Sequence, residues 1–285
     1  MDKKMFTLLI EDFLRNSGLN VISADQALCR GMAGLEIFGD PLLGVAAAED
    51  PAFRDLQEEG VVGPHFMLPD EWLSGAKSVI SFFLPFTERV RMSNRAERDE
   101  PSPEWLHARI EGQACIDRLS HFLVEELRQA GHRAVAPSVD SRFRSCTAVN
   151  TVFLDGNETP LPVSFTSNWS ERHAAYVCGL GSFGLSKGLI TSKGIAGRFD
   201  SIITTLALPS DNVIPSSPYE NCTLCGECAQ NCPADAISIS EGKDHVRCSE
   251  YLDMIRKKHQ PRYGCGKCQT GVPCESEIPP RRLQM

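Results

Sequence analysis

The stretch CTLCGECAQNCP, Cys222 to Pro233, decides what kind of molecule this chain forms. Two residues separate Cys222 from Cys225 and Cys225 from Cys228. Three separate Cys228 from Cys232, and a proline follows. Two-residue gaps let three thiolates wrap one face of an iron–sulfur cubane, while the longer gap and the proline turn the fourth cysteine toward a second cluster. Zinc asks for two cysteine pairs converging on a tetrahedron, which this spacing supplies poorly. Downstream lie Cys248 and then Cys265, Cys268 and Cys274, within YGCGKCQTGVPCESEIP. Eight thiols make two four-ligand sets with none left over. The simplest pairing gives Cys222, Cys225, Cys228 and Cys274 to one 4Fe–4S cluster and Cys232, Cys248, Cys265 and Cys268 to the other. Between the halves, PADAISISEGKDHVRC alternates apolar and polar residues like a short strand after a turn. The layout is ferredoxin-like and marks the segment as a carrier of single electrons.

The rest of the composition is consistent with that chemistry. Of twelve cysteines, eight fall between Cys222 and Cys274, a density that in a reducing compartment signals metal and not disulfides. An export signal is not apparent. The apolar run Phe6 to Ile10 after Lys3 and Lys4 is about half the length such a signal needs, and Glu11 and Asp12 interrupt it. A cytoplasmic protein is therefore expected. No run approaches the roughly 18 apolar residues of a membrane span. Cys29, Cys115, Cys146 and Cys178 are scattered and read as small hydrophobes. The net charge of −8 gives no footprint for a phosphate backbone.

About 210 residues precede the cluster module, and their patterning predicts mixed α and β structure. Strands are expected at 43–48, 78–86 (SVISFFLPF), 163–166 and 201–208. Helices are expected at 3–17, 104–130 and 169–178, the first with Met5, Leu8, Leu9, Phe13 and Leu14 on its apolar face. Gly131 stops the long one. The charged stretch 88–103 reads as an exposed loop, and PSDNVIPSSP (209–218) as a linker. The division expected is 1–212 for an α/β domain and 213–285 for the cluster domain.

Within ERHAAYVCGLGSFGLSKGLIT, Gly179, Gly181 and Gly184 spell G-x-G-x-x-G. A dinucleotide fingerprint needs a strand before it and a helix after it. The preceding residues look helical instead, so a NAD site is not expected, and Asp200 is a weak counterpart of a ribose-binding acid. The glycines signal close backbone approach to a cofactor or to another segment.

The order AKSVIS (76–81), ERHAAYVCGLGSFGLSKGLIT, TTLALP and the cysteine pattern, with Tyr251 and Leu252 after Cys248, resembles the epoxyqueuosine reductase group, more distantly the reductive dehalogenases. The resemblance implies an α+β fold: a nitroreductase-like cobalamin-binding domain followed by a ferredoxin-like domain with two 4Fe–4S clusters. It implies a base-off cobalamin lying against Gly179, Gly181, Ser182, Phe183 and Gly184, with Lys187 and Arg198 able to meet its phosphate or amides. Arg172, His173 and Tyr176 become the candidates for proton transfer, His173 because histidine titrates near neutrality. Glu171 reads as a first-turn acid of a helix capped by Ser170 or Asn168.

Three departures separate this chain from that group. The family's catalytic acid would fall at Phe165, where no carboxylate lies nearby, and Asp140 in SVDSRF is about 25 residues too early. Cys268 and Cys274 are five residues apart with Glu275 following, in place of a shorter gap and a proline. The chain stops eleven residues after Cys274, without the helical repeats that grip tRNA. With the acidic charge, this argues against a tRNA substrate. The expected activity is a cobalamin-dependent iron–sulfur reductase acting on a small molecule, fed by a low-potential donor such as ferredoxin or flavodoxin. The alternatives are a protein that reduces or reactivates a corrinoid for another enzyme, and an electron-transfer protein without cobalamin.

Overall fold

A computed structural model describes residues 1–147, 151–211 and 214–280. The frame is a four-stranded antiparallel sheet. The major elements, in chain order, are α1 (Lys3–Asn16), β1 (Leu42–Ala47), β2 (Ser78–Pro85), α2 (Glu88–Ala96), α3 (Pro103–Gln129), β3 (Ala134–Val135), α4 (Glu171–Val177), β4 (Gly181–Phe183), β5 (Leu189–Thr191), β6 (Gly197–Thr204) and α5 (His245–His259). The sheet runs β1-β2-β6-β3. β2 sits in the middle, with Ser81 opposite Gly44 on one side and Ser201 on the other. Its SVISFFLP run is apolar almost throughout because both sheet faces are covered, so no polar alternation survives. Ile80, Phe82 and Leu84 point into one core with α1 and α3; Val79 points into the other with Trp169, Ala174 and Val177.

Local signals explain the helices. Asp2 accepts from the Met5 N–H and caps α1, and Ser102 caps α3 through the Trp105 N–H. The buried stripe of α1 is Phe6, Ile10 and Leu14, whereas Met5 and Leu8 are exposed. The expected face is thus rotated: apolar residues occupy two adjoining stripes, and α3 and β1 cover the one containing Phe6.

Several expectations change. The stretch 88–103 is not an exposed loop, for α2 occupies its first half and buries Val90 and Asn94. The last strand runs Gly197–Thr204, four residues earlier than expected. The Thr204 hydroxyl takes the Leu206 N–H and the Ser78 hydroxyl takes the Leu208 N–H, which ends the ladder. In 163–166 only Thr166 is in a strand, because Phe165 adopts φ 54°. After the hairpin pairing Ile237–Ser238 with Gly242–Lys243, Asp244 caps α5, a helix the sequence pattern had not indicated.

The stretch 209–218 is pinned at both ends. Asp211 accepts from Lys3 Nζ and the Val45 N–H, and the Pro215 carbonyl accepts from Tyr176. The boundary expected at 212/213 lies outside the described residues. On either side of it the chain shares one apolar cluster, with Leu185, Ile190 and Ile195 packing on Cys228, Ile237 and Val272. Among the described residues, no helix is long and apolar enough to cross a membrane.

Candidate functional site

The eight downstream cysteines fall into two neighbourhoods. Cys222, Cys225, Cys228 and Cys274 line one apolar cavity with Leu185, Ile190, Ile195 and Val272. Cys274 feels the charges of Cys228, Cys222 and Cys225. In the second neighbourhood Cys268 feels Cys248 and Cys232, and Cys265 feels Cys268 and Cys248. Burial pushes the thiols of Cys228, Cys265 and Cys274 up to about 12. They are thiolates only if a cation answers their charge, as iron does. Among the described residues no three Cys, His, Asp or Glu side chains converge on a single-ion site. A cubane does not need such convergence, because each thiolate binds its own iron corner.

The module is clasped by the element expected to be a loop. The Glu275 carboxylate, 3% exposed, accepts from Arg91 (3.1 Å) and Arg95 (2.7 Å) of α2 and from the Gly271 N–H. Lys267, between Cys265 and Cys268, is buried and donates to the Asn94 and Glu97 carbonyls. Gly266 sits at φ 71° against the Trp105 ring, where a Cβ would collide. The glutamate that replaces the expected proline is therefore a structural latch.

The GLGSFG segment follows α4 and leads into the β4–β5 hairpin, the opposite order to a dinucleotide fingerprint. Gly179 ends α4 at φ 74°. A Cβ on Gly181 would meet the Ile190 carbonyl, and one on Gly184 the Ile190 side chain. Both glycines thus serve approach of chain to chain. Ser182 is buried and accepts from the Asn221 N–H, Phe183 stacks on His173 and Tyr176, and Lys187 donates to the Tyr219 hydroxyl.

α4 presents the proton-transfer candidates, in roles the pattern did not foresee. Ser170 caps nothing; its hydroxyl meets His173 Nδ1 at 2.7 Å. Burial, then the charges of Arg172 and Lys187, push His173 down to about 4, so the ring is neutral at pH 7. Burial and then Glu220 raise Tyr176 above the ordinary phenol value. Glu171 turns inward, accepting from Ser201 and facing Asp200. Asp200 takes hydrogen bonds from Ser120, Ser138 and the Ser201 N–H, which makes it a core acid and not a ribose ligand. With three donors on Asp200, the shared proton sits on Glu171, raised by burial and then by the Asp200 charge. Phe165 stacks on His245 at 5.5 Å, and Asp140 is bound to Arg142.

A cleft of about 270 Å³ opens between α3, β6 and Tyr263. Arg109, Gln113 and Asp117 lie four residues apart along one stripe of α3; Arg198 of β6 and Tyr263 complete the walls. Arg172 is exposed, and it feels both Arg109 and the thiols of Cys268 and Cys248. Burial lowers Arg198 to about 9, with Arg109 and Arg172 adding repulsion and its Nε left without an acceptor. Arg109, Gln113, Asp117 and Tyr263 went unremarked in the sequence, although the four-residue spacing on a helix was a usable signal.

Fold and thiols together define a mixed helix-and-sheet iron–sulfur protein. Residues 218–238 match the family model described as a 4Fe–4S binding domain. No curated protein matches the sequence. Among solved structures, the chain is similar to a catabolic reductive dehalogenase in complex with 3-bromo-4-hydroxybenzoic acid: TM-score 0.50, 16% identity, 84% of this chain and 30% of that one. A similar match is to a reductive dehalogenase reported with a mechanism for B12-dependent dehalogenation, with the same score, identity and coverage. An epoxyqueuosine reductase from Streptococcus thermophilus gives TM-score 0.48 and 14% identity over 100% of this chain and 69% of that one. Another epoxyqueuosine reductase, with TM-score 0.47 and 19% identity, is spanned over 66% of its length by 95% of this chain. What this chain shares with the dehalogenases is the fold.

Proposed function

We propose that this chain is a cobalamin-dependent iron–sulfur reductase of a small molecule, with two 4Fe–4S clusters on the thiol groups described above. The carrying observation is Arg172, which feels both the thiols of Cys268 and Cys248 and the Arg109 guanidinium of a cleft lined by the half-buried Arg109 and Arg198. In this reading residues 1–212 form a nitroreductase-like domain and 213–285 a ferredoxin-like one. Cys222, Cys225, Cys228 and Cys274 hold the outer cluster; Cys232, Cys248, Cys265 and Cys268 hold the one facing the cleft.

The donor set fits a corrinoid, whose amide oxygens and one phosphodiester are acceptors. Arg172 and Lys187 would supply N–H groups to the amides, and the cleft donors Arg198, Arg109 and Tyr263 face an anionic group. Bound there, the clusters would relay single electrons and base-off cobalamin would hand them to the substrate at low potential. The chain's own contribution is positional. Arg172 fixes a positive charge between the thiols and the cleft, and its Nη1 is held by the Lys187 carbonyl at 3.0 Å. Tyr176 keeps its proton at neutral pH and is available as a donor, whereas the neutral His173 orients Ser170 and packs Phe183. A ferredoxin or flavodoxin supplies the electrons.

A second reading has specific support. Phe165 occupies the place of the family acid and is stacked on His245, which favours a protein that reduces a corrinoid for another enzyme. The test is anaerobic gel filtration of cluster-loaded protein with hydroxocobalamin, before and after a strong reductant. A base-off spectrum co-eluting near one per chain supports cobalamin, and turnover of an organic substrate then separates the two readings. Retention of iron–sulfur absorbance alone contradicts both.

A further inference from the structure

The arginine cleft has a charge balance that neither the clusters nor the fold explains. Its walls carry Arg109 and Arg198, with Arg172 behind them and Arg256 on Tyr263. The one carboxylate in the lining is Asp117, which accepts from Gln113 at 2.7 Å. Arg262 and Glu111 nearby are paired with each other at 2.5 Å. Arg109 lies over the Tyr263 ring at 4.8 Å and donates to its hydroxyl at 3.0 Å. Arg172 answers the thiols of Cys268 and Cys248. Arg198 answers none of them. Its charged neighbours are Arg109, Arg172 and Asp117, its Nη2 donates to the neutral Gln113, and its Nε is buried without an acceptor. A half-buried guanidinium whose Nε–H is buried without an acceptor, among cationic neighbours, carries a desolvation cost that a bound anion removes.

We propose that this cleft binds an oxyanion, a phosphate or carboxylate group, seated on Arg198 and Arg109 beside Tyr263. The planar fork of Arg198 suits such a group because two N–H bonds can meet two oxygens. The anion belongs either to the reducible substrate or to the nucleotide tail of the corrinoid, and only this choice rests on the cobalamin-dependent function proposed for the chain.

The test uses the full-length, cluster-loaded chain under anaerobic conditions, titrated calorimetrically with inorganic phosphate. Saturable binding near one per chain is expected. Arg198→Gln should weaken it at least tenfold, and Arg128→Gln, on an exposed arginine of the same helix as Arg109, should leave it unchanged. Gln113→Glu keeps every arginine but pairs Arg198 internally, and should abolish phosphate binding at unchanged iron content. No saturable heat, or wild-type affinity in both Arg198→Gln and Gln113→Glu, overturns the proposal. Preloading identifies the source. If cobalamin blocks phosphate and cobinamide, which lacks the tail phosphate, does not, the tail is the occupant. If phosphate still binds beside cobalamin, the anion is the substrate's. Blocking by cobinamide overturns the assignment, because the corrin itself would then fill the cleft. If no corrinoid binds at all, the cobalamin reading fails while the phosphate titration still decides the cleft.

Discussion

The sheet body and the cysteine module are held together by different physics. The body packs β2 between two apolar layers and buries Ile80, Phe82, Leu84 and Ile202 almost completely. Most of its stability comes from removing apolar surface from water, at about 25 cal/mol per Å². The module has one long helix, strands of two residues, and a small apolar cluster in which cysteines are partners. A segment with so little core folds around ligands, and it leans on the body through Glu275, Lys267 and Trp105. On the proposed function, clasping the cluster module to the sheet body fixes the electron path next to the cleft.

The contrast is broken most directly by removing iron. Chelation under reducing conditions should cost residues 218–275 most of their amide-exchange protection while β2 and β6 stay protected. Equal loss in both regions would show that the body also depends on the clusters. Next in size is the latch. Glu275→Ala removes the acceptor shared by Arg91, Arg95 and the Gly271 N–H and should cost about 2–3 kcal/mol, read as a lowered denaturation midpoint and faster iron loss. An effect under about 1 kcal/mol would mean that the module holds itself. Smaller again is Gly266→Ala, whose Cβ must displace the Trp105 ring at a strained φ and should cost about 1–3 kcal/mol. A neutral outcome would show that the contact is loose.

The smallest expected effect lies inside the body. Glu171 is raised above its unfolded value of about 4.3 by burial and the Asp200 charge. The folded chain therefore keeps a proton that the unfolded chain releases. Stability is fullest below about pH 4 and falls as pH rises through the raised value. Glu171→Gln should flatten that slope, measured by denaturant unfolding at pH 5 and pH 8. An unchanged slope would place the titration elsewhere.

Legibility in the sequence followed how local each signal was. The cysteine spacing is a short-range constraint, so the cluster module could be read before any fold was known; in the fold Cys222, Cys225, Cys228 and Cys274 line one cavity. β2 and α3 were legible because apolar runs and a glycine stop are local. α2 was misread because ERVRMSNRA is polar on every side. Its buried face is the Val90–Asn94 pair, and its arginines are satisfied by Glu275, 180 and more residues away. α5 was hidden by a two-strand hairpin that ends only at Asp244. Glu171 looked like a first-turn acid because nothing in sequence shows that Asp200 and Ser201 face it. The cleft was legible only in part: Arg109, Gln113 and Asp117 share one helical stripe, but Arg198 and Tyr263 meet it only through the tertiary fold.

The central claim is two clusters on two separate sets of four thiolates. Anaerobic iron and acid-labile sulfide analysis with electron paramagnetic resonance, on the wild type and on Cys222→Ala and Cys248→Ala, tests it most directly. The account predicts about eight iron and eight sulfide per wild-type chain, with either variant losing one of two distinguishable reduced 4Fe–4S signals and keeping the other. About four iron in the wild type, or loss of the same single signal in both variants, would contradict it.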